Sequence, residues 1–193
     1  MAEILLFHHA RGLTPGVVAF ADTLRTAGHT VHTPDLYDGL VFGDTEAGVA
    51  HHEQLGMETV GARAEAAAAD LPAAIVYAGM SMGCAPATAL LLDRPGARGA
   101  FFLYGATAPS WWEAPWPAGV PAQSHQASED PWREPEVDAM FAKEVPDGEV
   151  FDYPVSGHLF ADSSTEEYDA AAATLATERI LAFLDQLSLA QLS

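Results

Sequence analysis

The stretch from Ala74 to Leu92, AIVYAGMSMGCAPATALLL, constrains this chain more than any other. Ala74-Ile75-Val76-Tyr77 reads as a short buried strand. Gly79-Met80-Ser81-Met82-Gly83 reads as a sharp turn, and the Ala-rich run from Cys84 to Leu92 as a helix. G-x-S-x-G between a strand and a helix is the arrangement that lifts a serine hydroxyl clear of its own backbone. A hydroxyl is a weak nucleophile and needs a neighbouring base, so this presentation has a chemical purpose. The glycines on either side permit backbone approaches that side chains would block. The positive end of the following helix favours negative charge developing beside Ser81. The pattern alone is short enough to recur by chance. It gains weight only if an acid and a histidine follow, each just beyond a later strand.

The remaining chain alternates in the same way. Strand-length runs are Glu3 to His8, His29 to Thr33, Gly99 to Tyr104, Gly119 to Ser124 and Gly148 to Tyr153. Thr14 caps a helix with Pro15 at its first position, running to about Ala27 and stopped by Gly28. Thr45 to about Asp70 reads as one or two helices, since Gly48, Gly56 and Gly61 interrupt it. Arg133 to Lys143 reads as a helix. Thr165 to about Leu187 closes the chain as an amphipathic helix with Tyr168, Ala172, Leu175, Ile180 and Leu184 as its apolar positions. Gly105 to Pro117, with tryptophans at 111, 112 and 116, is a loop that packs over something. Short strands alternating with helices predict an α/β fold: a mostly parallel sheet of about six strands with helices on both faces, in one domain over residues 1–193. Ligand sites of such sheets lie beyond the strands' carboxyl ends.

Three of those ends carry Ser81, Asp130 and His158. The order Ser, Asp, His fits a relay in which Ser81 attacks a carbonyl, His158 takes and returns its proton, and Asp130 orients the imidazole. Asp130 also suits a plain Asp-Pro turn. Asp152 and Asp162 compete with it, the first within a strand and the second on the helix side of the last loop. The backbone N–H groups of Met82 and Ala10 are the expected donors to a developing oxyanion. Arg11, beside that loop, is expected to face the pocket mouth and attract an anionic group. Neither His8-His9 nor His51-His52-Glu53 suits a metal, because adjacent residues point apart on a strand and are not at i, i+4 on a helix. Cys84 reads as a small buried residue. No metal and no cofactor is expected.

Composition bounds the partners. The formal charge is −19, with a single lysine, Lys143. Such a surface repels nucleic acid and anionic membrane. Mean hydropathy is +0.07 and the apolar runs fall far short of a membrane span. Met1-Ala2-Glu3-Ile4-Leu5 lacks a basic leader segment, and one cysteine excludes an internal disulfide, so a cytoplasmic location is expected. The expected partner is a small molecule, with the chain a monomer or homodimer. The Trp111 to Trp116 loop is either an active-site edge or a subunit contact.

Pro34-Asp35-Leu36-Tyr37, Gly79 to Gly83, His125 through Asp130-Pro131-Trp132, and Gly157-His158 together resemble the dienelactone hydrolase family over most of the chain. The resemblance implies an α/β-hydrolase fold, in a short form, and hydrolysis of a small ester or lactone by the Ser81, Asp130, His158 set. His9, Arg11, Tyr37, Trp111 and Phe160 are the expected substrate-binding positions. Two departures stand out. The best-known members carry cysteine where this chain has Ser81, and a glutamate near the nucleophile where it has His9. Their device for holding the cysteine inactive is therefore not expected here, and a general carboxylesterase is expected rather than an enzyme for dienelactone itself. A thioesterase or acyltransferase would use the same triad, and a non-catalytic binding protein would keep only the pocket.

Overall fold

The computed structural model describes residues 1–189. Its centre is one six-stranded sheet, with every neighbouring pair parallel. The strands are β1 (Glu3–Phe7), β2 (Thr30–His32), β3 (Val76–Met80), β4 (Gly99–Leu103), β5 (Ala122–Ala127) and β6 (Gly148–Tyr153). The helices are α1 (Pro15–Thr26), α2 (Thr45–Ala68), α3 (Cys84–Asp93), α4 (Pro135–Glu144) and α5 (Ala170–Leu189). The sheet order β2-β1-β3-β4-β5-β6 reverses direction between β1 and β3. That reversal opens a crevice at the strands' carboxyl ends, and Ser81 follows β3 directly into it.

The strand period of two divides the core. Ile4 and Leu6 of β1 join Ala78 and Met80 of β3 against Val17, Phe20 and Leu24 of α1 and Ile180 and Leu184 of α5. Leu5, Phe7 and Tyr77 face the other way, with Phe102, onto Val60 and Ala64 of α2, Leu91 of α3 and Phe141 of α4. Each Leu, Ile or Phe side chain buried in this way contributes about 1.5–3 kcal/mol. Both sheet faces are covered, as the nearly continuous apolar strands require.

Local signals act where the sequence placed them at α1. Thr14 Oγ1 accepts the Val17 N–H at 3.2 Å, and Pro15 opens the helix. β3 takes in Gly79 and Met80, which the sequence assigns to the turn, and two further segments differ from expectation. β5 begins and ends about three residues later than the composition suggests, so His125 and Gln126 lie inside a strand and not in the loop after it. Its sequence AQSHQA is polar, yet all six residues are buried between β4 and β6. α5 begins at Ala170 and not at Thr165. Its buried stripe is Ala172, Ala173, Ala176, Ile180, Phe183 and Leu184, while Tyr168 and Leu175 are exposed. Among the described residues no helix is long and apolar enough to cross a membrane.

Candidate active site

Ser81 stands at φ 51°, a left-handed backbone that a side-chain-bearing residue seldom adopts. The strain is held by packing on both sides. A methyl on Gly79 would stand 2.4 Å from the Gly83 carbonyl carbon, and one on Gly83 would stand 2.5 Å from the Phe7 carbonyl oxygen. Both positions must be glycine for the turn to close onto β1. One turn of 3-10 helix (Ser81–Gly83) then leads into α3.

The loop after β6 brings His158 to this turn. Its Nε2 lies 2.8 Å from Ser81 Oγ and its Nδ1 lies 2.6 Å from Asp130 Oδ2. A carboxylate only accepts, so the imidazole proton is on Nδ1 and Nε2 accepts from the serine hydroxyl. Asp130 is 8% exposed and His158 4%. The other Asp130 oxygen accepts the Trp132 N–H at 2.8 Å, so the residue forms the expected turn and orients the histidine at once. The two competing acids are engaged elsewhere. Asp152 pairs with Arg133 at 2.7 Å, and Asp162 accepts from His9 Nε2 at 2.7 Å.

His9 and Asp162 form a buried pair beside the site that the sequence did not reveal. Asp162 also accepts from Thr14 Oγ1 at 2.5 Å, and from the Ser164 N–H and hydroxyl at 2.8 and 2.6 Å. These donors hold its carboxyl well below the ordinary range, against the opposing effect of burial. Burial lowers the His9 pKa and outweighs the carboxylate, so the ring is neutral. His9 Nδ1 accepts the Arg11 N–H at 3.2 Å, which fixes the turn containing Ala10. Cys84 is buried and its thiol is pushed up by desolvation, so it is inert as a nucleophile.

The cleft over Ser81 and His158 has a volume of about 250 Å³. Met82 and the half-exposed Trp111 line it, together with residues that sequence reasoning did not select: Tyr104, Gln126, Trp132 and Arg133. Tyr104 carried a signal only in three dimensions. It stands at φ 63° at the end of β4, its ring 5.8 Å from that of His158, and its hydroxyl accepts the Ala161 N–H at 3.1 Å. Burial pushes that phenol well above its usual pKa.

Other expected pocket residues are placed differently. Phe160 is fully buried in the core between Tyr104 and Tyr153. Tyr37 is buried against His8 and His51. Ala10, whose expected role is that of a backbone donor, lies in the loop after β1 with its side chain buried. Arg11 does not face the pocket mouth with a free charge. Its guanidinium is nearly buried, donates to the Phe42 carbonyl at 3.2 Å and lies 3.4 Å from Glu166 and 4.0 Å from Glu167. A cation removed from water takes carboxylate partners, and these are close by in the last loop. Among the described residues no group of three or more His, Cys, Asp and Glu is placed to hold a metal ion.

The family model for the dienelactone hydrolase family matches residues 2–188. A comparison with curated proteins gives no match. Among solved structures, the chain is similar to a dienelactone hydrolase-like promiscuous phosphotriesterase from metagenomic libraries, at 19% identity and TM-score 0.76 over 97% of this chain and 87% of that one. It is also similar to alpha/beta hydrolase domain-containing protein 10 from mouse, at 14% identity and TM-score 0.71 over 96% and 90%. A dienelactone hydrolase from Anabaena variabilis aligns at 18% identity and TM-score 0.60 over 92% and 84%. At these identities the structural likeness establishes the α/β-hydrolase fold.

Proposed function

The chain belongs to the dienelactone hydrolase family, and from that premise we propose that it is a serine-dependent hydrolase of a small, uncharged carboxylic ester or lactone. The observation that carries this reading is the continuous contact from Ser81 Oγ to His158 Nε2 at 2.8 Å and from His158 Nδ1 to Asp130 at 2.6 Å. Ser81 Oγ attacks the substrate carbonyl while its proton passes to Nε2. The negative charge formed on the carbonyl oxygen falls to the N–H groups of Met82 and Ala10, and losing one such donor costs about 2.7–4 kcal/mol of barrier. The tetrahedral intermediate collapses with the proton leaving Nε2 for the departing alkoxide, so an alcohol is released and Ser81 is acylated. Water then repeats the sequence: His158 takes its proton, its oxygen adds to the acyl carbon, and the acid leaves as Ser81 regains its proton. Trp111 stands at the cleft edge, where it contacts substrate.

Charge supports an uncharged substrate. Among the described residues, the one cation lining the cleft is Arg133, and it is held at 2.7 Å by both Asp138 and Asp152. Glu134 and Asp138 line the same wall. With Arg11 also neutralised, an anionic group finds no free partner there.

The test is intact-protein mass after exposure to a fluorophosphonate. The native protein is expected to gain one adduct and Ser81→Ala none. A folded native protein that takes no adduct would overturn the reading.

A further inference from the structure

A second space opens beside the catalytic cleft. It has a volume of about 580 Å³ and lies between the second half of α2 and α3. Ala85 lines both spaces. Trp111 stands on the cleft and its neighbour Trp112 on the groove. α2 spans the two, with Val49 over the cleft and Val60 and Gly61 along the groove. The helix bends between them at Gly56, whose φ of 76° and ψ of 152° are not helical. The cleft alone, at about 250 Å³, is smaller than the roughly 300–1,000 Å³ usual for small-molecule sites.

Chemistry decides which part of an ester runs into the groove. The leaving alkoxide must receive its proton from His158 Nε2, so it belongs on the side of the cleft where Trp132 stands 6.3 Å from that ring. The acyl group remains bonded to Ser81. Ala85, in the first turn of α3 just after the Ser81 turn, is the residue that lines both spaces. Pro86 and Ala89 then continue the groove wall on α3. Glu58 and Glu65 on the opposite wall repel an anion and leave an uncharged chain unopposed.

Resting on the hydrolase reading above, we propose that this groove is an acyl-chain subsite and that the substrates are esters of medium-chain, uncharged fatty acyl groups. A fully buried methylene is worth about 0.8 kcal/mol, or roughly fourfold, and a half-open groove should deliver about twofold.

The experiment is kcat/KM on p-nitrophenyl acetate, butyrate, hexanoate and octanoate, all below micellar concentration. The native enzyme is expected to favour octanoate over acetate by about 60-fold, which is twofold for each of the six added methylenes. Gly61→Leu places a side chain in the groove, where an added Cβ meets nothing within 4 Å. It is expected to reduce the octanoate-to-acetate ratio to about fivefold or less. The ratio within one variant cancels any general loss of active enzyme. Ala89→Leu fills the same space from the facing helix and is expected to do likewise. A native enzyme that cleaves acetate with no gain along the series would overturn the subsite and leave the hydrolase reading intact. So would a gain that survives both substitutions. An enzyme that cleaves no member of the series, and takes no fluorophosphonate, would overturn both.

Discussion

Asp162 shows how much one carboxylate does in this site without touching the serine. Four donors converge on it: the His9 ring, the Thr14 hydroxyl, and the N–H and hydroxyl of Ser164. Through Thr14 it reaches the cap of α1, and through His9 the turn that carries Ala10. Because its folded pKa is depressed, its stabilisation is present above the ordinary carboxylate range and is lost as pH falls towards the lowered folded value. Asp162→Asn keeps one acceptor oxygen and sets an amide NH₂ against two of those donors. We expect a loss of about 3 kcal/mol in urea unfolding at pH 7, with a lower kcat in the folded fraction. A change within 0.5 kcal/mol would show that the cluster is dispensable. The placement of Ser81, Asp130 and His158 beyond the ends of β3, β5 and β6 was legible in the sequence, because each follows a run of strand length. The His9 to Asp162 contact was not, since it joins residues 153 apart and leaves no local pattern. The same limit applies to Arg11, whose partners in the 166–167 turn could not be seen from its own segment.

At the scale of elements, α2 is the piece whose glycines have opposite meanings. Gly56 breaks the helix with φ 76° and ψ 152° and sets the angle between its two halves. Gly61 sits in regular helix with open space where its side chain would be. Gly56→Ala is expected to destabilise by about 1–3 kcal/mol, because a Cβ makes that backbone costly. Gly61→Ala is expected to stabilise by up to about 1 kcal/mol, because alanine loses less backbone freedom on entering a helix. Thermal melting of the two variants should move in opposite directions, and a shared direction would refute the assignment. Sequence reading saw three interruptions here without ranking them, since composition does not report which glycine carries the unusual φ. β5 failed for another reason. Its two glutamines, serine and histidine look like a loop, but the sheet buries them on both sides and meets most of their needs internally, Gln123 Oε1 and His125 Nε2 excepted. Ser124 donates to the Gly105 carbonyl at 3.1 Å, Gln126 to Ser124 at 2.7 Å, and His125 shares a 2.7 Å contact with the Tyr153 hydroxyl. Tertiary context overrode polarity there, whereas the apolar runs of β1, β3 and β4 needed no such help.

Across the whole molecule, a formal charge of −19 surrounds a cleft with no free cation among its described residues. The catalytic contact and the surface field therefore make separate demands on a substrate. The first needs an ester carbonyl at Ser81. The second penalises any substrate that carries negative charge, before it arrives as well as after. Long-range repulsion depends on salt, since the screening length falls from about 30 Å at 0.01 M to about 3 Å at 1 M ionic strength. Local repulsion by Glu134 and Asp138 inside the cleft is screened less. A matched pair separates the two: p-nitrophenyl butyrate, and the mono-p-nitrophenyl ester of succinate, similar in length but ending in a carboxylate. At 0.01 M salt kcat/KM is expected to favour the butyrate at least tenfold, on the order of what a field of several kT does to encounter rates. Raising the salt should leave the butyrate nearly unchanged and bring the succinate closer without reaching parity, the residue of the gap being the cleft's own. Parity at low salt would show that a cation, Arg11 or Arg133, leaves its carboxylate partners to meet the substrate, and the preference for uncharged esters would then fail.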